Sequence, residues 1–249
     1  MQMALFRRIV FVAALAGLMA GLFVTALHQV GTVPVILKAE VYEQAADQAS
    51  DQPAGHDHAT AAGHSHDAAA VVPHEHDSGG WEPQDGLERT AFTALADILT
   101  GIGFALLLVC GYALTASLTG RQTGWRQGLL WGLAGFAVFT LAPGLGLRPE
   151  IPGTEAAPLT DRQVWWAATA LATAAGLGLL VFGRRALLAV LGVALLVLPH
   201  VIGAPLPAEF HSAAPEALAH RFAETAFATS LLFWAALGAL SGYFYQRFG

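Results

Sequence analysis

The sequence predicts an all-α integral membrane protein, a bundle of about six transmembrane helices with a histidine-rich segment outside the bilayer. Three observations predict it. Hydrophobic residues make up 55% of the 249 residues and charged residues only 12%, against about 25% in soluble domains. The mean hydropathy is +0.54. The charge is also unevenly placed, since long stretches carry none and the polar, acidic residues gather near residues 40–90. The formal net charge of −6 argues against nucleic acid, whose partners need basic patches. A single cysteine, Cys110, permits neither an intrachain disulfide nor a thiolate zinc site, and three methionines are few for a soft Cu(I) site.

A spanning helix needs about 20 mostly apolar residues. Ile9–Leu27 follows Arg7-Arg8 and reads as a retained helix, because its apolar run is long and no A-x-A-like cleavage site follows. Thr90–Leu118 carries one charge, Asp97; Gln127–Leu147 and Gln163–Gly183 carry none. Ala186–Ile202 is shorter and interrupted near its end by Pro199-His200; without it the count falls to five. Thr225–Gln246 is the last. The chain then divides into residues 1–37 (first helix and its exit), 38–89 (an acidic, histidine-rich loop) and 90–249 (five helices, with outer loops at 148–162 and 203–221).

Six spans place both termini on one side. That side holds Arg7, Arg8, Arg121, Arg126, Arg184, Arg185 and Arg247 and no acid, whereas the other holds every Asp and Glu except Asp97. The positive-inside rule therefore puts the termini in the cytoplasm and the loop in the periplasm of a bacterial inner membrane. Trp165-Trp166 and Tyr243 with Tyr245 mark span edges, as interfacial aromatics do. Gly17/Gly21, Gly128/Gly132 and Gly238/Gly242 are spaced four apart, which suits close helix packing and calls for no further role.

Six of the ten histidines fall in one tract, as His56-Asp57-His58, His64-Ser65-His66 and His74-Glu75-His76. Ala, Gly, Asp and Ser separate them, so the tract cannot bury a core and is expected to be disordered when empty. Imidazole with carboxylate suits Zn, Ni, Co or Cu(II), and in a flexible H-x-H both rings can turn to one ion. A solvated linker or a pH sensor are the plainer readings. Affinity at such a site rises from Co to Ni to Cu(II), so the tract captures metal without choosing cobalt.

Asp97 lies inside the second span, where a carboxylate is costly and marks a functional position or a protonated group that ties two helices. Thr93 and Thr100 share its helix face, giving a hydroxyl–carboxylate stripe able to pass a cation or proton. The last outer loop carries His200, Glu209, His211, Glu216, His220 and Glu224. Pro215 suits a helix start, and Glu216, His220 and Glu224 then fall on one face as either a metal site or a solvated surface. His28, alone at the end of the first span, reads as interfacial packing. No Walker A, H-E-x-x-H or G-x-S-x-G motif occurs, so neither ATP hydrolysis nor another enzyme activity is expected. Only His28 and His200 lie near span ends, a poor basis for axial haem ligands.

Several stretches together resemble the CbtA family of predicted cobalt transporter subunits. They are Leu5-Phe6-Arg7-Arg8 with the first span, Pro34-Val35-Ile36-Leu37-Lys38-Ala39-Glu40-Val41-Tyr42-Glu43 and Trp81-Glu82-Pro83-Gln84-Asp85-Gly86-Leu87-Glu88-Arg89-Thr90. Further on come Gly132-Leu133-Ala134-Gly135-Phe136, Leu141-Ala142-Pro143 and Leu198-Pro199-His200-Val201-Ile202-Gly203-Ala204-Pro205. The resemblance implies Co²⁺ (or Ni²⁺ or Zn²⁺) as cargo, a link to cobalamin metabolism, no permanently bound cofactor, and a small single-span histidine-bearing partner, CbtB. It implies no ligand set, and the family is described with five spans. A membrane-anchored metal buffer or sensor is the alternative to transport.

Overall fold

The computed structural model describes residues 2–50, 83–84, 86–209 and 212–248. In chain order they form α1 (Gln2–Val30), α2 (Thr32–Ser50), α3 (Leu87–Thr119), α4 (Trp125–Phe136), a π-helical turn (Ala137–Leu141), α5 (Ala142–Gly146), α6 (Leu159–Phe182), α7 (Ala186–Ile202) and α8 (Glu216–Arg247). The sole β pairing among the described residues is an isolated bridge between Thr154 and Ser212. The all-α membrane bundle expected from composition is what forms. Five helical stretches are long and apolar enough to cross a bilayer: α1, α3, the α4–α5 rod, α6 and α8.

The fifth apolar segment forms α7, at 17 residues the short one. At 1.5 Å per residue it rises about 25 Å, near the lower limit for a span. It runs back along α6 until the His200 ring lies 6.1 Å from the Trp165 ring near the start of α6. It therefore runs beside α6 from Phe182 back to about Trp165 and stops short of the first turns of its partner.

Small residues decide which helices touch. Side chains on Gly17 and Gly21 of α1 would run into the α3 backbone at Gly101–Ile102 and Ile98. Gly128 and Gly132 of α4 mesh in the same way with Gly238 and Gly242 of α8. In lipid, where apolar burial drives nothing, such close backbone approach gains dispersion contacts. Val12, Ala16 and Ala20 of α1, Ala105 and Val109 of α3, and Phe233, Trp234 and Leu237 of α8 close one continuous core. The paired glycines thus act as packing residues, as their spacing suggests.

Two elements depart from the sequence reading. Residues 38–50 belong to α2 rather than to a loop. Pro34 sits in the first turn of α2, where its missing N–H costs little. Val35 and Ala39, one turn apart, are buried, and Ala39 packs on Ile151 and Ala214 with Leu218 and Phe222 alongside. The segment is too polar to register as a span, so hydropathy alone passes over it. The third span is not a plain helix either. Pro143 cannot donate to the Phe139 carbonyl, and the helix widens into the π turn just before it.

Both termini meet at one end of the bundle: the Arg8 guanidinium caps the Tyr245 carbonyl and lies 3.8 Å from its ring centroid, and Phe11 packs on Phe248. At the opposite end α1 gives way to α2 and α3 begins; the histidine tract falls in sequence between α2 and α3, outside the described residues. We call these the terminal end and the tract end.

Candidate ion cleft

α1 and α3 are antiparallel, since Gly17 meets Gly101 while Gly21 meets Ile98. Continuing along the same face of α1 places Thr25 and then His28 beside Asp97. Thr25 Oγ1 lies 2.8 Å from Asp97 Oδ2 and 2.9 Å from the Gly21 carbonyl, with one hydrogen to give to either. His28 Nδ1 lies 3.1 Å from the same Oδ2. All contacts to Asp97 thus fall on one oxygen, and Oδ1 has no partner among the described residues. The Asp97 side chain is 16% exposed and that of His28 28%, so both are half-withdrawn but reachable.

They line a cleft of about 540 Å³ between α1, the start of α2, α3, the π turn and α8. Thr93 and Thr100 line it with Asp97, as their spacing on α3 requires. The π turn adds Thr140, whose hydroxyl meets that of Ser230 of α8 at 2.9 Å. Arg89 stands on the wall one turn before Thr93 and pairs with Glu40 of α2, Nη1 to Oε2 at 3.3 Å. That pair ties the middle of α2 to the start of α3.

The cleft stops on an aromatic layer. Trp234 stacks on Phe139 at 5.6 Å and meets Phe104 at 4.6 Å, with Phe233 alongside. On the far side, Tyr112 is fully buried, bonded to Ser241 at 3.0 Å and packed on Trp131 and Tyr245. A cation could therefore rest above the aromatic layer, while passage onward needs those rings to move.

The other residues singled out in the sequence are more scattered. His56, His58, His64, His66, His74, His76 and His211 lie outside the described residues. His200 is exposed at the end of α7 and Glu209 is exposed in the following loop. Glu216 and His220 meet at 3.3 Å on the first turns of α8, and Glu224 is exposed one turn on. Among the described residues no three His, Cys, Asp or Glu side chains come together as a metal cluster. The site gains Thr25, which sequence reasoning missed, and His28, which it read as interfacial packing. A signal existed: both continue the Gly17–Gly21 face at helical spacing, so they share the face that packs closest to a neighbour.

No curated protein and no solved structure matches the chain. A family model matches residues 6–246, and the chain belongs to that family, CbtA, the probable cobalt transporter subunits.

Proposed function

We propose that this multi-pass protein is the membrane subunit of an uptake system for Co²⁺ or a similar divalent transition metal, such as Ni²⁺ or Zn²⁺. The histidine tract captures the ion in the periplasm. The cleft with Asp97, Thr93 and Thr100 then admits it to the bundle, and His200, Glu209, His211, His220 and Glu224 are further outer stations. In this reading the termini are cytoplasmic, which the arginine distribution supports. A small single-span, histidine-bearing subunit works beside it. The observation that carries this reading is a carboxylate within an apolar helix, Asp97 of α3, lining a cleft together with His28, Thr93 and Thr100.

The test is uptake of labelled Co²⁺ by cells expressing the chain, with and without the small subunit, competed by Ni²⁺ and Zn²⁺. Saturable uptake above the vector control is expected. None, even with the subunit present, would falsify transport and favour a membrane-anchored metal buffer. The six-histidine tract is the feature that makes a buffer the competitor. Deleting residues 54–78 separates the two, since a buffer then loses all function whereas a transporter loses mainly affinity.

A further inference from the structure

We infer that His28, through Nε2, is the ion's ligand in this cleft, and that Asp97 holds the ring and supplies the countercharge. The inference rests on the uptake reading above and names the station within it. Metal-binding histidines donate their other ring N–H to a carboxylate or carbonyl, which fixes the tautomer and raises the basicity of the ligating nitrogen. His28 has that partner already, with Nδ1 3.1 Å from Asp97 Oδ2. A proton on Nδ1 leaves the Nε2 lone pair free, and Nε2 has no partner among the described residues.

Thr25 fixes the other side of the arrangement. Its hydroxyl, 2.8 Å from Oδ2, restrains the carboxylate from the same helix that carries His28. The ring and its carboxylate come from α1 and α3, whose separation is set by the Gly17 and Gly21 contacts. The pair is therefore built by the backbone packing rather than by chance rotamers. Besides His28 and Asp97, the cleft is lined by the hydroxyls of Thr32, Thr93, Thr100, Thr140 and Ser230 and, on its wall, by Arg89.

One imidazole, one nearby carboxylate and hydroxyls make a weak, incomplete shell for Co²⁺, Ni²⁺ or Zn²⁺. Weakness is what a transit station needs, because an ion must leave as readily as it enters. A structural site would instead gather three or four such groups, which the described residues do not.

The experiment uses the full chain, purified in detergent, with Ser at the six tract histidines so that they do not mask the cleft. Labelled Co²⁺ binding is measured by equilibrium dialysis. A site is expected that is lost in His28→Ala and weakened about 10–100-fold in Asp97→Asn, the usual effect of removing a ligand's carboxylate partner, while any binding at the outer stations stays equal in parent and variants. His28→Cys provides a readout that a packing role would not move: a thiolate should shift preference from Co²⁺ towards Cd²⁺ and Zn²⁺. Co²⁺ binding unchanged in His28→Ala, or no change of preference in a folded His28→Cys, overturns the assignment. Cellular uptake is measured separately. A parent chain that binds Co²⁺ at His28 but transports none would overturn the uptake reading while leaving this site in place.

Discussion

The tract-end and terminal-end halves of the bundle use the same helices, α1, α3, α4 with its π turn, and α8, but pack them differently. Towards the termini, Gly128 and Gly132 mesh with Gly238 and Gly242, and Tyr112 fills the gap between α3 and α8 with no exposed surface. Towards the tract, α1, the start of α2, α3, the π turn and α8 enclose a cleft of about 540 Å³. Trp234 and its ring partners separate the two regimes. The difference assigns stability to the glycine-meshed half and chemistry to the threonine- and carboxylate-lined half, so changes in each should report on different properties.

The largest effect should come from filling the mesh. Gly238→Leu places a side chain against the Gly128 carbonyl and the Gly132 backbone. Backbone cannot yield as a side-chain tip can, so the loss should exceed about 3 kcal/mol, beyond ordinary overpacking. Little folded protein should survive extraction, as size-exclusion chromatography in detergent would reveal. Gly103→Leu is the control: nothing lies within 4 Å of its added Cβ, and the fold should be unaffected. Equal damage from both variants would break the assignment of stability to the mesh.

Asp97→Asn comes next and should act on the other property. Asn keeps the shape and can still accept from Thr25 and His28, so the protein should remain in the membrane with its melting point unchanged. At limiting Co²⁺ a 10–100-fold weaker station means nearly all uptake is lost. Normal uptake by this variant would remove the cleft from the pathway.

Much of this division could be read from the residues, and the remainder had physical reasons to stay hidden. Asp97, Thr93 and Thr100 stood out because a carboxylate within an apolar run is costly and helical spacing fixes its face. The glycine pairs announced close packing but not their partners, because spacing within one helix says nothing of the helix it meets. His28 therefore read as a lone interfacial residue, and only the antiparallel α1–α3 contact brings it to Asp97. α2 escaped notice for a different reason: its few buried apolar residues make a helix that lies against the bundle, and hydropathy detects only helices that cross. The π turn is a further case, since Pro143 foretells a break in the ladder but not that Phe139 and Thr140 will line a cleft.

A smaller effect concerns the mouth. Glu40 neutralises Arg89, which stands eight residues before Asp97, about 12 Å along α3. The pair is partly exposed, so Glu40→Gln should cost less than about 1 kcal/mol of stability. Its effect on a divalent cation should be larger, because loss of the Glu40 negative charge makes the potential at the cleft more positive. Uptake should fall roughly three- to tenfold at low ionic strength, and the deficit should shrink in high salt, where the Debye length is about 3 Å. A salt-independent deficit would point to a tie that shapes the cleft rather than to its field.

The smallest expected effect tests whether the terminal half is only a seal. Tyr112→Phe deletes the hydroxyl that meets Ser241 at 3.0 Å but keeps the ring against Trp131 and Tyr245. Ser241 is not orphaned, because its hydroxyl also reaches the Gly238 carbonyl at 3.1 Å. The cost should therefore be near the ~0.6 kcal/mol average for hydrogen bonds between membrane helices, below the ~1–3 kcal/mol of a stranded polar group. The melting point should drop by a degree or two and Co²⁺ uptake should not change. If uptake instead falls steeply while the melting point holds, the Tyr112 and Ser241 hydroxyls are steps on the ion's route beyond the aromatic layer. The boundary between packing and chemistry would then lie closer to the termini than Trp234.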